Sequence, residues 1–285
     1  MLPFQVMSGL LPIGQLFRNS WESFKQHFSV LIVLFLIPLT FSLIAQVLSM
    51  AGNSLAEKMF GLVFSLLSFL ISVPTGIAAI VVITEGAEVS DAYRRGFQLF
   101  FPSIWVGILF ECIMIGGSLL FIIPGVIMLT WFSFSNFVLV IERKRGLATL
   151  LQSREYVRGH WWAIFGRFFL FGFLMLLLVV VLVLPLSLVL GKMAGTFAFG
   201  SLMAFLTPFG LSYSYELYKN LSALKSSLAT AVQTSSRSLL IAFGILGLCA
   251  LLIMLIGASM LFMSFGGIPH ITNSAAANPT TTTTP

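Results

Sequence analysis

The sequence predicts an all-α fold: a polytopic transmembrane helix bundle of about seven spans set in hairpins, with amphipathic helices along one face. Three observations predict it. The chain is 58% apolar and only 8% charged, about a third of the charge of an ordinary soluble domain. Its apolar residues fall in runs of about 18 or more that carry few or no charges, the length a helix needs to cross lipid while satisfying its own backbone. Its basic residues cluster between every second pair of runs, the asymmetry of a chain that alternates between two faces of a bilayer.

Taken in order, residues 1–28 are an N-terminal segment holding an interfacial helix. Leu10, Ile13, Phe17, Trp21, Phe24 and Phe28 fall on one face, and Arg18, Asn19, Glu22, Lys25 and Gln26 on the other. The opening "MLPFQVMSGLL" has no basic region ahead of an apolar core, so no cleavable signal peptide is expected. Residues 29–221 form a six-span membrane domain, with spans at 30–50, 59–83, 103–123, 125–141, 162–190 and 195–215. Between the third and fourth, Pro124 and Gly125 in "FIIPGVIM" read either as a tight hairpin or as a break in one element. The hairpin is favoured, because each side is about long enough to cross.

The amphipathic pattern recurs before the third span, where Val89, Ala92, Tyr93, Leu99 and Phe100 oppose Asp91, Arg94, Arg95 and Gln98. Before the fifth, the stripe of Leu147, Leu150, Leu151, Val157 and Trp161 also contains Arg154 and Arg158, whose stems are expected to snorkel outward. Residues 222–265 hold an interfacial helix and a seventh span at 239–263, the fourth stripe being Leu221, at the end of the preceding segment, with Leu224, Leu228 and Val232. "SLLIAFG" at 238–244 echoes "HWWAIFG" at 160–166, so the chain reads as a degenerate repeat of interfacial helix plus hairpin, its last hairpin cut to one span. Residues 266–285 form a Thr- and Pro-rich tail expected to be disordered.

Thirteen basic residues, among them Arg18, Arg94, Arg95, Arg143, Arg145 and Lys219, fall on one predicted face, and only Lys58 and Lys192 on the other. The positive-inside rule then predicts a multi-pass membrane protein with a cytoplasmic N-terminus and an external C-terminal tail. A basic excess arranged this way points to anionic lipid headgroups as partners rather than nucleic acid. Other membrane proteins, or further copies of the chain, are additional expected partners. Cys112 and Cys249 lie inside apolar runs and suit packing, not a disulfide framework.

"VSDAYRRGFQLFFPSIW", "LLFIIPGVIM" and "VIERKRGLATLLQSREYVRGHWWAIFG", followed by the tyrosine-rich "SYSYELYKNL" at 212–221, resemble in order and spacing the membrane domain associated with glycerophosphoryl diester phosphodiesterases and the related YciC-like bacterial inner-membrane proteins. The resemblance covers roughly residues 10–221 and implies a bacterial-type integral membrane module, sometimes fused to a phosphodiesterase barrel. Nothing in this chain encodes that barrel, and its histidines, His27, His160 and His270, are scattered. Where the family often carries a basic residue early in the fourth span, this chain has Thr130 in "LTWFSF". The catalytic activity is therefore not carried over, and the seventh span and tail lie outside the resemblance.

Two sets of residues are candidates for a site. In "EYVRGHWWAIFG", Arg154, Arg158, Trp161, Trp162 and Arg167 place arginines at phosphate depth and tryptophans at the headgroup boundary, as lipid-headgroup contacts. Glu111 sits near the middle of the third span, where a charge is costly, with Ser133, Ser135 and Asn136 of the fourth span as hydrogen-bonding candidates. Pro38, Pro74, Pro185 and Pro208 interrupt four spans and are read as packing kinks rather than the broken helices of a transport site. No "HExxH", "GxSxG" or Walker sequence is present, and no cofactor, metal or catalytic residue is expected. The leading expectation is a non-enzymatic membrane protein that organises lipid or protein at the cytoplasmic face. The alternative is a small-solute or ion transporter or channel using Glu111, and an enzyme modifying lipid comes after both.

Overall fold

In a computed structural model, residues 10–51, 54–120, 122–226 and 235–266 are described. They form helices α1 (Ile13–Gln26), α2 (Phe28–Ala51), α3 (Leu55–Glu85), α4 (Val89–Gln98), α5 (Phe100–Leu120), α6 (Ile122–Phe132), α7 (Ser135–Ile141), α8 (Leu147–Val157), α9 (Trp161–Leu190), α10 (Lys192–Ser226) and α11 (Ser235–Gly266). Six segments are long and apolar enough to cross a membrane, namely α2, α3, α5, α6 with α7, α9 and α10. In α11 the stretch Leu240–Met254 is apolar as well. Six of the seven expected spans thus fall on helices long enough to cross, and the seventh falls on α11, whose apolar stretch among the described residues is shorter. The tail 267–285, and Leu228 and Val232 of the fourth stripe, lie outside the described residues.

Local chemistry sets several boundaries. Ser54 and Glu57 form a reciprocal capping box that starts α3, and Gly86, at φ 67°, ends it with its N–H on the Val82 carbonyl. Pro124 falls in the first turn of α6, where a missing N–H costs nothing. Gly125 packs against Ser118 and Gly117 against Met128, so α5 and α6 fold back on each other as the hairpin expected at "FIIPGVIM".

The core lies towards one end of the bundle. In α3 the buried residues other than Gly61 all fall between Pro74 and Ile83. In α10 they include Tyr213, Leu217 and Leu221, and in α9 only Ile164 is buried. These ends meet α1, α4, α7 and α8, all on the face that carries most of the basic residues. The far halves of α3 and α9 expose apolar side chains such as Phe69, Leu188 and Val189. In water that would be ruinous, but lipid is itself an apolar solvent for such surfaces.

The short helices do not simply float at the surface. On α1, Leu16, Ser20 and Phe24 are buried against the bundle, while Ile13 and Trp21 of the expected apolar stripe, and Phe28 at the start of α2, stay exposed. The apolar arc is thus divided between protein and surroundings. On α8 the buried set is Thr149, Leu150, Ser153 and Val157, so two hydroxyl residues enter the core beside the expected leucine and valine.

α4 does structural work for the prolines of α2 and α3. Pro38 has no N–H and so leaves the Leu34 carbonyl without its helical donor. The Tyr93 hydroxyl donates to that carbonyl at 2.9 Å and lies 3.0 Å from the Thr75 hydroxyl. Gly96 presses against the Pro74 carbonyl, where any Cβ would collide. Pro38 and Pro74 therefore act as packing features, each met by a residue of α4.

Candidate functional site

The fourth span is interrupted. α6 stops at Phe132 and α7 resumes at Ser135, which frees backbone groups that lipid cannot satisfy. Ser153, fully buried on α8, closes the gap: its Oγ donates to the Trp131 carbonyl at 2.7 Å and accepts from the Phe134 N–H at 3.2 Å. Ser133 bonds back to the Thr130 carbonyl at 2.9 Å. On the other side of the break a cleft of about 510 Å³ opens between α5, α6 with α7, and α9. Phe110, Phe132, Phe165, Phe168 and Phe169 wall it, and Thr130, Ser133, Ser135 and Asn136 supply its polar groups. Phe169 and Leu129 of its lining are exposed, so the cleft opens on the apolar side of the helices.

The structure thus brings Ser133, Ser135 and Asn136 together, but not around Glu111. That carboxylate is exposed on α5, is not among the lining residues, and has no hydrogen bond or ion pair among the described residues. Cys112, its neighbour, is buried where α5 crosses α11.

The five headgroup candidates separate. Arg154 does not snorkel outward. Its guanidinium lies 4.4 Å from the centre of the Trp131 ring, and burial lowers its pKa from the ordinary arginine value. The local reason is that Trp131 stands on the last turn of α6, directly under α8. Arg167 is likewise drawn inward, donating through Nη2 to the Leu11 carbonyl at 2.8 Å and through Nη1 to the Ala163 carbonyl at 2.9 Å. Trp161 is partly buried, with Nε1 donating to the Ile127 carbonyl at 3.3 Å. Arg158, in an ion pair of 3.6 Å with Glu155, and Trp162, 78% exposed, stay at the surface.

Two features of the basic face were not anticipated from sequence. Glu142 Oε1 accepts from the Tyr156 and Tyr218 hydroxyls at 2.7 and 2.9 Å, and Oε2 lies 3.2 Å from Lys144 Nζ. Burial raises the Tyr156 pKa, and its bond to Glu142 raises it further. This network ties α7, α8 and α10 together. The tyrosine-rich "SYSYELYKNL" is its only sequence signal. The second feature is a pair of clefts at the end of α3, of about 530 and 550 Å³, that share Thr84, Glu85 and Tyr215.

Compared with known proteins, the chain matches no family model, no curated protein and no solved structure. Its chemistry is therefore read from its own residues. Among the described residues, no group of His, Cys, Asp or Glu side chains is placed to hold a metal ion. An apolar cleft with hydroxyl and amide groups in its lining can take up an acyl chain and hydrogen-bond the polar group at its head.

Proposed function

We propose that the chain is a non-enzymatic integral membrane protein of the cell inner membrane that holds and orders lipid near its cytoplasmic face, with its N-terminus inside and its tail outside. The observation that carries this reading is the phenylalanine-walled cleft beside the break between Phe132 and Ser135. It lies the 7 residues of α7, roughly 10 Å of helix, from the α7 end at Ile141, the depth of the upper acyl chain rather than of the phosphate. The asymmetry of the basic residues supports the orientation. The likeness of residues 10–221 to the phosphodiesterase-associated membrane domain belongs to the same proposal and adds no catalytic step. Transport through Glu111 has less to stand on, because its carboxylate lines neither the cleft nor any bonded network.

Native mass spectrometry of the chain purified in mild detergent tests the reading. A phospholipid should remain bound to the wild type. Gly107 has open space where a Cβ would stand and lies on the cleft wall, so Gly107→Phe should fill the cleft, leave the fold intact and abolish retention. A wild type stripped of lipid, or a folded Gly107→Phe protein that retains as much, would sink the proposal.

A further inference from the structure

The paired clefts at the end of α3 carry opposite charge. One is lined by Glu22, Glu85 and Glu216 against Lys219, three carboxylates to one ammonium, with Glu22 also 3.8 Å from Arg18 and Glu216 3.8 Å from Lys219. The other is lined by Arg95, Arg143 and Arg145 against Glu85, a net of +2. Their shared wall is Glu85 with Thr84 and Tyr215, and Glu85 holds Arg95 at 2.6 Å. The negative and positive lobes therefore meet at one ion pair. Arg143 and Arg145 are exposed and have no bonded partner among the described residues, so two of the three guanidinium groups are free to take an anion.

We infer that this two-lobed cleft binds a phosphodiester that also bears a primary ammonium group, of the phosphoethanolamine headgroup type. The phosphate would lie among Arg95, Arg143 and Arg145, since guanidinium forks match phosphate oxygens. The ammonium, a compact cation with three donors, would lie towards Glu85, Glu22 and Glu216. A simple phosphate would satisfy one lobe and leave the other repelling it across Glu85. A simple amine would do the reverse. The lobes sit where α3, α4 and α7 end, at the headgroup level of the basic face, and share no lining residue with the acyl cleft, so the inference stands apart from it.

The full chain in maltoside micelles, titrated by calorimetry at fixed ionic strength, tests it with three probes: glycerophosphoethanolamine, glycerol 3-phosphate and ethanolamine. The zwitterion should bind at least about tenfold more tightly than either half, the size of one charge-assisted contact. Arg143→Gln with Arg145→Gln should weaken both phosphate probes by a similar factor. Glu22→Gln with Glu216→Gln should weaken the zwitterion and, by relieving the repulsion, leave glycerol 3-phosphate binding at least as tightly as before, so that the preference for the zwitterion is lost. Equal binding of the zwitterion and glycerol 3-phosphate, indifference to the two glutamine changes, or no binding of any probe would overturn the inference. Displacement of bound zwitterion by phosphatidylethanolamine nanodiscs, but not by phosphatidylglycerol ones, supports a lipid as its source. Failure of both overturns the lipid source in favour of a free phosphodiester.

Discussion

The Tyr93 hydroxyl donates to the Leu34 carbonyl at 2.9 Å, and Leu34 is the residue four positions before Pro38. A proline inside a helix withholds the N–H that would have bonded that carbonyl, and in lipid no water replaces it. The residue that repairs α2 thus comes from α4, the interfacial helix on the far side of α3 in the sequence.

That relationship predicts a coupled pair. Tyr93→Phe leaves the Leu34 carbonyl unpaired and should cost about 1–3 kcal/mol of unfolding free energy. In a Pro38→Ala background the helix regains its own donor, and the same change should cost well under half as much. A double-mutant cycle by denaturant unfolding in micelles measures the coupling, and additive losses would refute the repair. The pH dependence has a definite sign. Burial, opposed by the bond to Thr75, raises the Tyr93 pKa above its ordinary value, which is about 10. Stability from the neutral hydroxyl is therefore complete below about pH 10 and lost as pH rises through the folded-state pKa. Tyr93→Phe should flatten that alkaline loss.

Ser153 closes the break between α6 and α7 with both of its hydrogen-bonding roles. Ser153→Ala removes an acceptor and a donor at once and should destabilise the protein by about 2–3 kcal/mol. Amide exchange at Phe134 should accelerate far more than at Leu139, which lies in the regular part of α7. Uniform acceleration across α7 would mean that the serine supports the helix generally rather than its break.

The hydropathy of the chain made the spans legible because lipid imposes length and polarity on every crossing segment alike. The α5–α6 hairpin was legible for the same reason, but Pro124 and Gly125, read as its turn, fall inside the first turn of α6, where a proline needs no N–H and continues the helix. The break at Ser133 and Phe134 was not, because Thr130, Ser133 and Ser135 read as tolerated hydroxyls until Ser153 is seen across from them. Arg154 and Arg158 share a helical face in sequence, yet one meets Trp131 and the other Glu155. Sequence spacing places two residues on one face. It does not reveal which of them a neighbouring helix will cover, and Arg143 and Arg145 drew no special notice because they resembled ordinary anchors.

Gly116 and Gly247 meet where α5 crosses α11. A Cβ at Gly116 would collide with the backbone of Phe243 and Gly247, and one at Gly247 with the backbone of Cys112 and Gly116. Close approach of this kind is how helices associate in lipid, where dispersion contacts replace the hydrophobic effect. Gly247→Leu should separate the two helices and cost about 1–3 kcal/mol or more. Gly244→Ala, where a Cβ meets only Ile113 at 3.7 Å, should be tolerated. Disulfide trapping between cysteines placed at Gly244 and Ile113, where an added Cβ meets its neighbour at 3.7 Å without collision, weakened by Gly116→Leu, measures the approach. Undiminished trapping in that variant would show that the crossing survives without its glycine.

The last prediction separates two arginines four residues apart. Arg154 lies over Trp131 and is partly buried, whereas the Arg158 side chain is 57% exposed. In the full chain, Arg154→Gln should therefore act on stability, losing a cation–π contact of about 0.5–2 kcal/mol, and should barely change retention of anionic lipid. Arg158→Gln should do the opposite, because a basic residue near an anionic surface contributes about 1 kcal/mol to attraction, roughly fivefold in affinity. A peptide covering residues 145–162 lacks Trp131, so Arg154 too can face lipid. It should bind anionic vesicles more tightly than neutral ones, and each glutamine change should then weaken it about equally. The contrast between peptide and full chain is the decisive measurement. If Arg154→Gln weakens lipid retention in the full chain as much as Arg158→Gln does, the stack on Trp131 does not hold that charge away from the bilayer.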